Sequence, residues 1–479
     1  MSQWKKIKIQ RDNGEMVEAQ APVIVSASRS TDIPAFYADW FFHRLKVGYS
    51  AWTNPFNGVR SFVSYEKCRF IVFWSRNAKP LLQHLDELKD RNIGCYIQHT
   101  LNDYEKEGLE KGVPPLEERI DTFKRLVDKL GKGRVIWRFD PMILTDKIGL
   151  DDLLRKVENI GDRLQGYTEK LVFSYADIAS YKKVRSNLEK SRINYQEWTE
   201  PQMEEFAQGL SELNRKWHYQ LATCGEKIDI WRYGIQHNRC VDDELMIRFA
   251  HHDKALMDFL GVEIKTVENS LFGTEPVPAG TIRLSETQYA LKKRDNREKG
   301  QRQFCGCIVS KDIGEYNTCP HLCEYCYANA SKEVAVENYR RHGINPKGEM
   351  ITGKRLIYNT FHPKFVTKTL SVEQIGVKEQ DVTKNLTIDV TKQLTERQFA
   401  ISEMVAEDSF VSISEMSLKT GVATRTIKCD KGSVFIVKTS TSAVLVVSKN
   451  GLDIFGLSRY NVFFQRTGAE LDFDSVNTA

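Results

Sequence analysis

The chain has 479 residues, with 69 basic and 64 acidic side chains and a formal net charge of +5. That length supports two or three domains whose cores need no disulfide staples, and 41% hydrophobic with 28% charged residues is the balance of a globular protein, not a disordered one. So small a positive excess gives no ground for nucleic-acid binding by bulk electrostatics.

The opening stretch MSQWKKIKIQRDNGEM lacks the apolar run of a leader, and no later run approaches the roughly 18 residues of a membrane span. A cytoplasmic protein with no membrane partner is expected, with residues 1–20 as an N-terminal extension. From residue 21 to about 225, short β-rich runs alternate with amphipathic stretches. The runs are VIVSAS (23–28), YSAWT (49–53), FIVFW (70–74), CYIQH (95–99), VIWRF (135–139), LVFSY (171–175) and YQLAT (219–223). Between them, Leu116, Ile120, Phe123, Val127 and Leu130 recur at a helical period, with Gly131 at the stop. Strand and helix repeated in this way predict an α/β fold, a full or partial (β/α) barrel with a mainly parallel sheet.

In such barrels the C-terminal ends of the strands line the site. The segments there carry Arg29, Asp32, Asn54, Arg76, Asn77, His99, Asp140, Asp177 and Glu226. Arg29, Asp32, Arg76, Asp140 and Glu226 are the candidates for catalysis; the alternative is that connecting loops are polar in any case. The basic run LKKRDNREKGQR (291–302) reads as a solvated linker or helix face.

Ten cysteines suit metal or redox chemistry better than disulfides in a reducing compartment. Cys305, Cys307, Cys319, Cys323 and Cys326 crowd into 22 residues, whereas Cys68, Cys95 and Cys429 read as packing thiols. CPHLCEYCYAN (319–329) spaces three thiols as Cys-x3-Cys-x2-Cys. A structural zinc would want a fourth ligand, available from Cys305, Cys307 or His321. A 4Fe–4S cube held by three thiolates instead keeps one iron open.

Beyond the cysteines, residues 346–393 read as a linker containing VTKTL, VTKNL and VTKQL, too short a repeat for a solenoid. LTERQFAISEMVAEDSFVSISEMSLKTGVATRTIKCD (394–430) has the pattern of a helix-turn-helix, with Phe399, Ile401, Met404 and Val405 on one helix, Ile413, Met416 and Leu418 on the next, and Gly421 at the turn. It resembles the winged-helix tail of certain bacterial regulators, which implies DNA as a partner. SVFIVKTSTSAVLVV then reads as a hairpin, a departure that leaves a packing or dimerisation module (394–479) as the other reading.

The triplet, with Tyr325 before its last cysteine, resembles the signature of radical S-adenosylmethionine enzymes. The resemblance implies a 4Fe–4S cluster on Cys319, Cys323 and Cys326 whose open iron chelates S-adenosylmethionine, Tyr325 beside that cofactor, an external electron donor of flavodoxin or ferredoxin type, and an unknown substrate. In that superfamily the triplet usually follows the first strand. Here it follows roughly the eighth, so CIVSKDIGEYNT (307–318) is expected to supply, last in the chain, the strand that normally comes first.

SASRSTDIPAFYADWFFHRL, NPFN, VIWRFDP, ATCGEKIDIWRYGIQHNRCVDDEL and CGCIVSKDIGEYNTCPHLCEYCYANAS resemble, in that order, the bacterial family called domain of unknown function 1848, over about residues 21–345. That family is radical-SAM-like through its C-terminal cysteine cluster, so the resemblance implies a permuted barrel and a cofactor but no reaction. Cys224, Cys240, Cys305 and Cys307 belong to the same stretches; a second Fe–S cluster, a zinc site and plain core thiols are the readings open for them. The rival for the whole chain is a metal-stabilised nucleic-acid-binding or regulatory protein in which the tail acts and the cysteines are structural.

Overall fold

The computed structural model describes residues 4–53, 59–267, 269–270, 273–274 and 278–352, with two strands further on. The chain divides into two compact units, residues 1–53 with 60–354, and residues 54–59 with 355–479. In the second unit, Phe435–Lys438 pairs antiparallel with Ala443–Val446, the hairpin expected there. The helix-turn-helix pattern, Cys429 and Asn54 lie outside the described residues.

The first unit is built on a parallel sheet of eight strands: β1 (Ile24–Ala27), β2 (Phe70–Ser75), β3 (Gly94–Thr100), β4 (Val135–Met142), β5 (Lys170–Tyr175), β6 (Gln220–Thr223), β7 (Ile235–His237) and β8 (Lys311–Asp312). Their order across the sheet is β7-β6-β5-β4-β3-β2-β1-β8. Each strand from β1 to β7 is laid beside its predecessor, and β8 returns to the free side of β1, with Lys311 opposite Val25 and Asp312 opposite Ser26. The ladder therefore ends at β7 on one side and at β8 on the other.

Two of the expected elements come out differently. YSAWT forms a strand (Tyr49–Thr53), but it pairs antiparallel with Arg60–Ser64 in a separate four-stranded sheet that also holds the hairpin Lys5–Gln10 and Met16–Ala21. β-propensity marks a segment as strand without saying which sheet it joins. The seventh place belongs instead to Ile235–His237, too short and polar for a periodicity argument.

Strand alternation divides the buried residues between two faces. Val25, Ile71, Phe73, Ile97, Trp137, Phe139 and Phe173 pack with Trp40 and Phe41 of α1 (Ala38–Val47), with Ile120 and Phe123 of α2 (Leu116–Leu130), with Leu153 and Ile160 of α3 (Leu150–Leu164), and with more distant helices. α2 starts and ends where the sequence predicts, with Gly131 at φ 93° as its cap. The other face begins apolar, with Ile24, Phe70, Val72, Tyr96, Ile136 and Val172 packed against Met246, Ile247, Leu256, Leu260, Cys240, Cys305 and Cys307. A parallel sheet needs both faces covered. The second cover is the helix pair Asp243–Ala250 and Lys254–Leu260 together with the cysteine-bearing segments around residues 240 and 305–308.

The basic run 291–302 is not simply solvated. Lys292 pairs with the buried Asp243 at 2.5 Å, and Arg297 Nε donates to the Cys305 carbonyl at 3.0 Å, so the run straps Cys305 and Cys307 to the body. Beyond β8, Gly314 lies where a Cβ would come within 1.9 Å of Ser28 Oγ and 2.7 Å of Ser30 Oγ. Gly314→Ala is therefore expected to unseat this return and to destabilise the protein by about 1–3 kcal/mol, as overpacking does. Urea unfolding measures it, and a midpoint unchanged from wild type would contradict this packing.

Candidate functional site

The C-terminal ends of the strands bring the polar candidates together with both cysteine groups. β1 ends at Ala27, and its loop is held by Asp312, which accepts from Ser28 Oγ (2.7 Å), the Arg29 amide (2.9 Å) and the Gly314 amide (3.0 Å). Asp32, on the same loop, accepts from Ser75 Oγ (2.7 Å), the Arg76 amide (2.7 Å) and the Ala35 amide (3.0 Å). Its carboxylate also lies 2.9 Å from Nε2 of the buried His321, whose Nδ1 meets the Gly112 carbonyl at 3.0 Å. Asp32 thus ties the loops after β1 and β2 to the cysteine triplet, and His321 is occupied in that fastening.

Tyr325 is buried. Its hydroxyl donates to Glu110, Asn102 Nδ2 reaches it at 3.0 Å, and Arg76 lies over its ring at 5.3 Å. Arg76 pairs with Glu110 at 2.5 Å and donates to the Asp140 carbonyl at 3.3 Å. Asn329 Nδ2 donates to the Cys319 carbonyl (2.7 Å), its amide to Cys326 Sγ (3.4 Å), and Asn187 Nδ2 to the Cys326 carbonyl (3.0 Å). The three thiols stand near enough to act on one another. Burial, then Asp32 and the two neighbouring thiols, raise Cys319; burial pushes Cys323 up to about 12 and also raises Cys326. Deprotonating them needs a compensating positive charge, which a bound metal supplies.

The other four cysteines gather at a second place. Cys224 Sγ lies 3.2 Å from Cys240 Sγ, Cys240 is hydrogen-bonded to Cys307, and Cys307 to Cys305. Nitrogen donors point at these sulfurs: Arg138 at Cys240 (3.1 Å), Asn238 Nδ2 at Cys240 (3.2 Å) and the Val241 amide at Cys307 (3.4 Å). Tyr96 and Gln98, on the same sheet face, hold the Cys240 carbonyl at 2.8 and 2.9 Å. The hydrogen bond from Cys307, against the effect of burial, brings Cys305 down to about 7. Every described cysteine is unbridged, and Cys68 and Cys95 sit in the hydrophobic core. Among the described residues, no group of three or more His, Cys, Asp or Glu is arranged to hold a metal ion as it stands.

Asp140 stands between the two cysteine groups. Its carbonyl accepts from Arg76 and Asn102, and its carboxylate from Arg138 and Ser174. Burial opposes ionisation there, but Arg138 and Ser174 outweigh it and leave the carboxyl below its ordinary value. Arg29, beside Cys307 and Cys240, donates to Ser310 Oγ at 3.2 Å and lies 5.8 Å over Trp74. Glu226, which accepts from the Tyr175 amide, is pushed to about 8 by burial, Cys224 and Asp140. His99 faces Phe123 of the helix layer, within electrostatic reach of Asp32 and Arg119, and Asn77, whose amide donates to Ser75 Oγ, accepts from the Lys79 amide. Asp177 accepts from the Ser180 amide in a turn. Glu110, Asn102, Arg138, Asn238 and Asn187 were not singled out from the sequence. Only Arg138 carried a signal, a charge two residues from Ile136 and Asp140 on one strand face.

Fold and site together define an α/β protein with a parallel sheet that presents two cysteine groups, and a polar network joining them, at its C-terminal edge. A family model, the domain of unknown function DUF1848, matches residues 24–328. The chain belongs to that family. No curated protein matches it. Among the described residues no helix is long and apolar enough to cross a membrane.

Glu226 fixes a pH dependence. Its folded pKa lies above the ordinary carboxyl value, so its contribution to stability is complete below about pH 4.5 and is lost as pH rises toward 8. Metal-free wild type should lose up to about 1.4 kcal/mol per pH unit across that window relative to Glu226→Gln. Urea unfolding at pH 6 and pH 8.5 tests it; parallel pH profiles for the two proteins would refute the assignment.

Proposed function

We propose that the chain is a radical S-adenosylmethionine enzyme, with a 4Fe–4S cluster on Cys319, Cys323 and Cys326 and a second Fe–S cluster on Cys224, Cys240, Cys305 and Cys307. The observation that carries this is the pairing of β8 with β1. It sets the loop bearing the triplet at the C-terminal ends of a parallel sheet, next to the strand that opens the fold, so a permuted order delivers the usual relation of triplet to sheet. The donor sets suit the groups: three mutually close thiols in one place and four more gathered in another. N–H donors aimed at sulfur are among the protein's means of tuning such clusters.

Bound at the triplet, the cluster supplies the electron that cleaves S-adenosylmethionine reductively. The chain's own residues position and insulate. Arg76, Glu110, Asn102 and Tyr325 brace the triplet loop from behind, while Asp32 and His321 lock its first turn. Asp140, ionised and held by Arg138, keeps the space between the two groups polar. Electrons enter from an external donor of flavodoxin or ferredoxin type.

Protein reconstituted with iron and sulfide without oxygen should hold about eight irons, falling to about four in Cys224→Ala. With dithionite and S-adenosylmethionine it should release 5′-deoxyadenosine, and Cys323→Ala should release none. A fully loaded wild type that yields no deoxyadenosine would give way to a structural role for the metal.

A further inference from the structure

α4 (Lys182–Lys190), the helix that follows β5, carries an unbalanced charge. From residue 182 to 192 the chain exposes Lys182, Lys183, Arg185, Lys190 and Arg192, with Glu189 as the one acid of the stretch. Val184, Asn187 and Leu188 are buried. With 3.6 residues per turn, the cations of the helix therefore take the outward arc, Lys182 at its crest, Arg185 on one shoulder, Lys183 and Lys190 on the other. Among the described residues none of the five pairs with a carboxylate: Arg185 donates to the Ala179 carbonyl at 3.2 Å, and Lys183 rests over the Tyr316 ring at 4.9 Å. Exposed cations on other helices do find acids, as Arg155 does with Asp152, Lys254 with Asp258 and Arg340 with Glu337. Like charges spaced along one helix face repel, so the outer face of α4 lacks a counter-charge that the chain itself does not supply.

The same helix is a wall of the cysteine triplet. From its inner face, Asn187 Nδ2 donates to the Cys326 carbonyl at 3.0 Å and to the Asn329 carbonyl at 3.2 Å. Ser191, just past its end, donates to Glu324, which lies between the second and third cysteines. Lys183 stands within electrostatic reach of Cys326. That thiol is only partly buried, and the next residue, Tyr327, is 43% exposed and packs edge to edge with Tyr181 at the start of the helix. A partner resting on the outer face of α4 thus comes within about one helix thickness, roughly 10–12 Å, of the triplet. Electron transfer through protein falls off steeply with distance, so a carrier that serves the triplet has to dock this close. An exposed tyrosine rimmed by charge is also the usual composition of a protein contact.

We propose that the outer face of α4, formed by Lys182, Lys183, Arg185, Lys190 and Arg192 with Tyr327 beside it, is the docking surface for an acidic electron-carrier protein that reduces the triplet. The inference rests on the radical reading and says where its electrons enter. Charge complementarity fixes the character of the partner: a carboxylate-rich rim around its redox centre. Redox encounters bury less than about 1,200 Å² in total, which a nine-residue helix and its surroundings supply. Rim charges of this kind govern encounter rate and salt dependence. A nucleic acid would meet the same cations, but it would have no use for a helix whose inner face holds the triplet.

The test takes the full chain, reconstituted with iron and sulfide, and an acidic flavodoxin as the probe. A carbodiimide joins lysine amines directly to carboxylates, and peptide mapping of the cross-linked complex should find Lys182, Lys183 and Lys190. The cross-links should fade as salt rises from about 0.05 to 0.3 M. The double variant Lys182→Glu with Lys190→Glu should bind flavodoxin about tenfold more weakly and release deoxyadenosine about tenfold more slowly when flavodoxin is the donor. Its Tm and its dithionite-driven rate should match the wild type. Cross-links confined to other surfaces, or equal flavodoxin binding by wild type and variant, would overturn the proposal. So would a variant that loses retention on DNA yet keeps the flavodoxin-driven rate, because the face would then serve nucleic acid. Absence of deoxyadenosine with dithionite would count against the radical reading instead, and the cross-links and binding would still decide the docking surface.

Discussion

The arrangement depends on a two-residue strand and one carboxylate. Lys311–Asp312 offers little pairing of its own, yet it seats the whole cysteine segment against β1 because Asp312 gathers Ser28, Arg29 and Gly314 around itself. Backbone amides and a hydroxyl on one partly buried carboxylate make a charge-assisted knot stronger than two ladder bonds alone. The β1 loop and the triplet loop then share a frame, and Asp32 adds a second tie through His321.

With that frame set, charge is sorted by sheet face. One face is mainly apolar and belongs to the helices, with Ser75 and His99 at its strand ends; the other turns polar toward the strand ends, where Arg138, Gln98, Ser174 and Cys224 follow Ile136, Tyr96, Val172 and Ala222. The thiols divide accordingly. The triplet stands by Asp32 and Glu110 with Arg76 as its near cation, whereas the quartet stands by Arg29, Arg138 and Arg302. Within the quartet only Cys305 is brought down, to about 7, while Cys224, Cys240 and Cys307 are raised.

Much of this could be read from the sequence, and the failures have physical causes. Long β-branched and aromatic runs such as FIVFW and VIWRF named their strands, and α2 declared its own limits through Leu116, Phe123 and Gly131. The five cysteines within 22 residues marked the site, and Cys224 and Cys240 came with them. Tyr49–Thr53 was assigned to the wrong sheet because strand partners are settled by tertiary contact, here with Arg60–Ser64. Strand-end position alone does not show which way His99 faces; the pleat sets it against Phe123, with Asp32 and Arg119 nearby. Glu110 and Asn102 lie in an irregular loop after β3, where no period exists to show that one carboxylate would be buried against Arg76 and Tyr325.

The late return of β8 also bears on how the chain is made. β1 is among the first strands to leave the ribosome, but its second edge has no partner until Asp312 has been translated, about 285 residues later, a delay of roughly 15 to 60 seconds at ordinary elongation rates. Through that interval an apolar strand offers an open row of amides and carbonyls, the kind of edge that recruits foreign strands. The newborn sheet is thus complete only when the cysteine segment arrives, so closing that edge and delivering the thiols are a single event in biosynthesis.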